Sequence, residues 1–204
     1  MSDIDSNLRQ LAAVAFGEAG TSNNSEEMGS IAFAVANRAR AWNGKTVEEL
    51  FQADKNYAYA ITDGNARYQL FMATGEADIQ KNPAMKLALE WAKKALANET
   101  PDPSNGAFWW DGTDIKKNYN NHDKVKKGIH FSKPEHNIFD IKNSSPGTIT
   151  IYWKVRDKKT GREVSSKIRG SYDYIYLSTA AYGSSIFWKY NPDFIAASGA
   201  KEYK

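Results

Sequence analysis

Leu11-Ala12-Ala13-Val14-Ala15-Phe16-Gly17-Glu18-Ala19-Gly20 is an apolar run that ends on a single acid set among small residues. Ile4, Leu8, Leu11 and Ala15 recur at helical spacing and predict a helix over about 4–17, ended by Gly17 and Gly20. Glu18 then stands at the end of that helix. Its small neighbours admit a large ligand, while Phe16 and the helix body keep one side dry. A carboxyl in a half-apolar place has its charged form disfavoured and can hold a proton near neutrality. Protonating a glycosidic oxygen requires such a group. A solvated Glu at a helix end satisfies the same periodicity, so spacing alone does not decide between the two.

Working outward, a polar loop over 21–25 leads to Asn24 or Ser25 as the cap of a second helix over about 26–42. Glu26 and Glu27 suit its positive first turn. Met28, Ile31, Ala32, Val35, Ala39 and Trp42 form its apolar stripe, and its Ala and Gly content permits close packing. Thr46 with Glu49 is a capping-box pattern for a short helix to about Phe51. Another helical stretch is predicted near 65–74. Asn82-Pro83 opens a stronger one with Met85, Ala88, Leu89, Ala92 and Leu96 on its stripe, closed by Pro101 and Pro103.

The pattern then changes. Residues about 100–146 are loop-rich in Pro, Asn, Gly and Lys. Ile149, Ile151, Trp153 and Val155 alternate with Thr150, Tyr152 and Lys154, a turn follows at 157–161, and 162–168 returns. This predicts a hairpin over about 148–168, with one more short strand near 174–177. The expected fold is mainly α within the α+β class: one domain over 1–204, with the β-hairpin as an appendage inside an insertion at about 112–176.

Composition narrows the function classes. Apolar residues make up 41% and charged residues 25% of 204, which is ordinary for a globular chain. Cysteine is absent, which excludes a disulfide and a thiol nucleophile. His122, His130 and His136 are spaced by eight and six residues and fit no helical metal pair, so neither metal nor cofactor is expected. The net charge of +3 is too small and too dispersed to predict nucleic acid as a partner. No apolar run reaches membrane-spanning length. The first residues, Met1-Ser2-Asp3-Ile4-Asp5, lack the basic and apolar regions of a signal peptide. Aromatics reach 13%, and their flat apolar faces suit either a core or a sugar site.

Residues 11–38 resemble the opening of the SleB-type cell wall hydrolases, a family that includes spore-cortex lytic enzymes. The likeness lies in the helix ending at Glu18-Ala19, the polar loop, and Ala32-Phe33-Ala34-Val35-Ala36-Asn37-Arg38. A second stretch, Pro101-Asp102-Pro103-Ser104-Asn105-Gly106-Ala107-Phe108-Trp109, is similar to the family's Asp-Pro-Thr-x-Gly-Ala-aromatic segment. A third, Tyr182-Gly183-Ser184-Ser185-Ile186-Phe187-Trp188, is similar to its closing Gly-x-His-x-Phe-Tyr. The resemblance implies a compact lysozyme-like helical domain, lytic transglycosylase chemistry on muramyl linkages, and Glu18 as the catalytic acid. Three features depart from the family. A second Glu is missing from the loop at Gly20-Thr21, Ser184 or Ser185 stands where the family has His, and the 112–176 insertion has no counterpart.

The substrate-binding candidates are Tyr57, Tyr59, Asp63, Trp109, Trp110, Asp111 and Tyr182. Of the two adjacent tryptophans, one is expected inward and the other against a sugar. Asp63 and Asp111 are the candidates for a second acid, although turn or surface roles suit both. Arg38 is expected to pair with a carboxylate or to shape the cleft. The expected partner is peptidoglycan, and the expected state is a monomer. The competing reading is a glycan-binding module of lysozyme-like ancestry without turnover. Lacking a signal peptide, the enzyme is expected to reach the periplasm or wall by lysis or a secretion system. An injected effector would carry a cognate immunity protein.

Overall fold

A computed structural model describes residues 4–54, 57, 61–62 and 64–202. Helix α1 (Ser6–Glu18) begins at Asp5, whose carboxylate accepts from the Asn7 and Leu8 amides, and it runs one residue further than the glycines predict. Gly17 is tolerated inside it because a Cβ there would crowd Tyr68 at 3.1 Å. Helix α2 (Ser25–Ala41) is capped by Asn24, and Leu11 to Phe16 bury against it. Helix α3 (Val47–Ala53) carries both hydrogen bonds of the Thr46/Glu49 capping box. Helix α4 (Ala66–Ala73) starts at Asn65, and α6 (Pro83–Ala97) starts with Pro83 in its first turn. Between them lies α5 (Glu76–Lys81), which has no side-chain cap. Helix α6 packs on α1 and α2, where Gly29 lets the Trp91 ring approach to 2.8 Å of the position a Cβ would take.

The second half is mixed. Strand β1 (Trp109–Asp111) precedes two short helices, α7 (Asp114–Lys117) and α8 (Asp123–Lys127), and then β2 (Ile129–His130). Strands β3 (Ile149–Arg156) and β4 (Glu163–Tyr172) form a separate two-stranded ribbon. Strands β5 (Tyr176–Tyr182) and β6 (Ser185–Tyr190) lead to α9 (Pro192–Ser198). The main sheet has the order β1-β6-β5-β2, antiparallel except for the parallel β2–β5 pair. Helices and two small sheets together make an α+β chain.

The segment expected as an insertion divides in two. Ile115, Val125 and Ile129 are buried in the common core, so residues 112–147 are part of the body of the molecule. The β3–β4 ribbon projects, and nearly every residue over 152–168 is exposed. It packs at its base on α9, with Gly170 against Ala197 and Tyr172 edge-on to Phe194 at 5.0 Å.

Candidate active site at Glu18

Glu18 is the last residue of α1 and is half-buried. It sits among the carbonyls that a helix leaves unpaired at its C-terminus, where the backbone field is negative. Its Oε1 accepts from Asn65 Nδ2 at 3.4 Å, and its Oε2 from Trp110 Nε1 at 3.4 Å. Both contacts are long for hydrogen bonds. Asn65 does three things at once. Its Oδ1 caps α4 through the Arg67 and Tyr68 amides, and its Nδ2 reaches the Gly17 carbonyl at 3.0 Å as well as Glu18. The start of α4 is thereby bonded to the end of α1. Trp110 comes from β1 and stands edge-on to Tyr57 at 5.7 Å.

The chain on either side of Glu18 is held by two charged residues. The Arg67 guanidinium lies 3.9 Å from the Phe16 ring centre, and it donates to the Phe16 carbonyl and to Asn23 Oδ1. Burial lowers the pKa of Arg67, and the charge of Glu27 works against that shift. Glu27 itself is fully buried. Its Oε2 accepts from the Gly20 amide at 3.2 Å. Its Oε1 accepts from the Ser184 amide, Ser184 Oγ and Ser185 Oγ, each at 2.9 Å. One carboxylate thus ties the loop after Glu18 to the β5–β6 turn. Gly183 in that turn has φ of +57°, and a Cβ there would fall 2.2 Å from Glu27 Oε2.

The three stretches quoted from the sequence meet in space. Asn37 Nδ2 donates to Asp102 Oδ2 at 2.8 Å and to the Ala107 carbonyl at 3.1 Å. Asp102 in turn accepts from the Ser104 and Gly106 amides and so closes the 102–107 loop. Trp109 pairs with Trp188 across β1 and β6. Ser184 and Ser185 join the set through Glu27. Both serines donate to a buried carboxylate.

The other predicted residues divide. Trp110 reaches Glu18, while Trp109 is buried under the Arg38 guanidinium, 4.8 Å from its ring centre, and against Tyr190. Arg38 pairs with Asp54 inside the protein. Tyr57, expected at the substrate, is a core residue: it is 3% exposed and its hydroxyl donates to the Phe108 carbonyl. Burial pushes its phenol well above the usual range. Tyr182 is half-buried against Phe187 and precedes the turn that binds Glu27. Tyr59 and Asp63 lie outside the described residues.

Asp111 belongs to a second charged group. Lys124 Nζ donates to its Oδ1 at 2.9 Å, and His122 Nε2 lies 3.3 Å from the same oxygen and 3.4 Å from Asp114 Oδ2. Hydrogen bonds to Asp111 and Asp114 raise the His122 imidazole to about 9. Asp111, Asp114 and His122 bring one ligand atom each to within 4.8 Å of one another, the spacing a metal ion needs. A charged His122 and Lys124 balance the charge of the two carboxylates, while Asp111 Oδ2 and His122 Nδ1 are buried without a hydrogen-bond partner among the described residues. Residue spacing gave no sign of this cluster. His136 is buried between Ser132 and Ser178, and burial lowers its imidazole below the usual value. Among the described residues, no helix is long and apolar enough to cross a membrane.

Comparison with family models, with curated proteins and with solved structures found no match to this chain.

Proposed function

We propose that this protein cleaves the MurNAc-GlcNAc backbone of peptidoglycan as a lytic transglycosylase on a lysozyme-like helical scaffold, with Glu18 as its single acid/base. The observation that supports this most is the convergence around one half-buried carboxylate. Glu18 ends a buried helix and faces an indole, and the segments that resemble the SleB-type hydrolases are hydrogen-bonded to one another, with one tie made at the loop after Glu18.

The chemistry needs one carboxyl. Glu18 gives its proton to the glycosidic oxygen, and the bond from that oxygen to the muramyl C1 breaks. The Glu18 carboxylate then takes the proton of the sugar's own C6 hydroxyl as that oxygen bonds to C1. The ring closes as a 1,6-anhydro product, no water is consumed, and Glu18 regains its proton. A hydrolytic route would need a second carboxyl about 5–9.5 Å from the first. Asp111 is tied to Lys124 and His122, and Glu27 to four donors. On this reading the enzyme works in the periplasm or wall after delivery by lysis or a secretion system. An injected form would be neutralised by an immunity protein that covers Glu18.

Mass spectrometry of products from purified peptidoglycan tests the proposal. Wild type should release 1,6-anhydromuramic termini. Glu18→Gln should remain folded and lose about 10²–10⁴-fold in rate. Reducing-end muramic acid would show that water attacks. Full activity in Glu18→Gln would end the proposal.

A further inference from the structure

The β3–β4 ribbon carries charge out of proportion to its size. Over residues 149–172, seven side chains are Lys or Arg and two are Asp or Glu, a net +5 in a chain of net +3. The rest of the protein is therefore slightly acidic, at −2. The same ribbon exposes large apolar side chains: Tyr152, Trp153, Val155, Val164 and Ile168 are 41–60% exposed. Val155 and Val164 face each other across the strands, and Trp153 lies at a register irregularity between Tyr152 and Lys154. Arg169 stacks on Trp153 at 4.5 Å from its ring centre.

We propose that this ribbon is a second, non-catalytic contact for peptidoglycan, in which Lys and Arg meet the carboxylates of the stem peptides and Trp153 lies against sugar. The inference rests on the proposed activity at Glu18 and names an additional site for the same polymer. Three features favour this occupant. The cations lie on both strands and in the turn, at Lys154, Lys158, Lys159, Arg162 and Lys167. A flexible polyanionic mesh can reach all of them, whereas a flat bilayer neutralises one side. The exposed Trp153, Val155 and Val164 are apolar, which suits the faces of sugar rings and not the phosphate walls of a duplex groove. Position is the third. The ribbon joins the main sheet at the Tyr176–Tyr190 end, and the Ser184 turn bound to Glu27 lies at the other end of β5. The ribbon's base and the Ser184 turn thus lie at opposite ends of a seven-residue strand, so the ribbon contact is separate from the Glu18 site. Two separate contacts on one polymer raise retention without altering the cleavage step.

The test is co-sedimentation with purified sacculi, in a Glu18→Gln background so that the wall is not consumed. Lys158→Glu, Lys159→Glu and Arg162→Glu together invert the ribbon's charge. Their affinity for sacculi should fall at least about tenfold at low salt, and the gap should close as salt rises and screening shortens the reach of the charges. Trp153→Ala should weaken binding at high salt as well. Lys158→Arg with Lys159→Arg should bind like the parent, which separates charge from misfolding. On soluble glycan oligomers too short to span both sites, the charge-inverted ribbon with Glu18 intact should turn over normally. Sacculi binding that is unchanged by charge inversion while wild type still releases anhydro products would overturn the ribbon proposal and leave the Glu18 reading standing. Loss of cleavage chemistry in wild type with intact, ribbon-dependent binding would do the reverse. Tighter ribbon-dependent binding to anionic vesicles or duplex DNA than to sacculi would also overturn it.

Discussion

Replacing Glu27 with Gln tests how Glu18 is held. Glu27 is fully buried and accepts four hydrogen bonds, three on one oxygen and one on the other. Gln keeps the shape and one carbonyl oxygen. If that oxygen faces the two serines, their bonds survive but lose charge assistance, at a cost of up to about 1 kcal/mol each. The new amide NH₂ then faces the Gly20 N–H, donor against donor, which costs a further ~1–3 kcal/mol unless the loop moves. Gly20 is only half-buried, so it relaxes toward water and the parts do not simply add. A net destabilisation of about 2–4 kcal/mol follows, or roughly a 5–15 °C fall in Tm for a domain of this size. Urea unfolding at fixed pH measures the first number and a thermal scan the second. Because the Gly20 bond also fixes the loop beside Glu18, cleavage of peptidoglycan should fall further than the folded fraction does. A change below about 0.5 kcal/mol, the usual range of surface substitutions, would refute the claim that Glu27 joins the two loops.

Three further outcomes are expected. Gly183→Ala should destabilise about as much as Glu27→Gln, because it adds a positive-φ penalty to a Cβ driven into that carboxylate, and parallel unfolding curves decide this. His122 has a folded pKa of about 9, above its unfolded value. Its contribution to stability is therefore full below about pH 6.5 and is lost progressively as pH rises through about 9. Urea midpoints across that window should decline in wild type more than in His122→Ala, and equal slopes would reject the network. Replacing residues 152–168 by a short Gly-Ser turn should leave a cooperative domain, read by circular dichroism and a single thermal transition. Loss of folding would show the ribbon to be core.

What was legible in the sequence was local. The ends of α2, α3 and α6 follow from Asn24, the Thr46/Glu49 box and Asn82-Pro83, each a contact within a few residues. The same reading of Asn191-Pro192 as cap and first residue would have found α9, where Asn191 accepts from the Asp193 amide. Helix α5 has no capping side chain to announce it. Strand β6 escaped for another reason. Ser185 to Trp188 are buried in succession, so the alternation that marks a one-sided strand is missing. Strand β2 is two residues long and exists through its pairing with β5, about 47 positions away. At the site, helix spacing left Glu18 undecided, and the resemblance to the SleB-type hydrolases is what singled it out. Glu27 looked like an ordinary first-turn acid, since its partners Ser184 and Ser185 lie 157 and 158 positions along the chain.

Those two glutamates also show why residue type cannot assign a catalytic role. They are nine positions apart and flank the same loop. Glu27 is enclosed, with both oxygens committed to fixed donors at 2.9–3.2 Å, so it has no path to a sugar oxygen and its work is to hold two loops together. Glu18 is half-exposed, and its hydrogen bonds from Asn65 and Trp110 are both 3.4 Å, longer than those that hold Glu27. Asp111 is also enclosed: it is 8% exposed, with Oδ1 bound to Lys124 and Oδ2 buried without a hydrogen-bond partner among the described residues. A general acid must be reachable, oriented and loosely enough held to pass a proton. Among these three carboxyls, Glu18 is the one that is part-exposed, which is why the proposed role falls on it. Its orientation comes from Asn65, which is bonded to the end of α1 and the start of α4 together. Asn65→Ala should therefore lower the cleavage rate while Glu18 itself is intact, and an unchanged rate would locate the source of that orientation elsewhere.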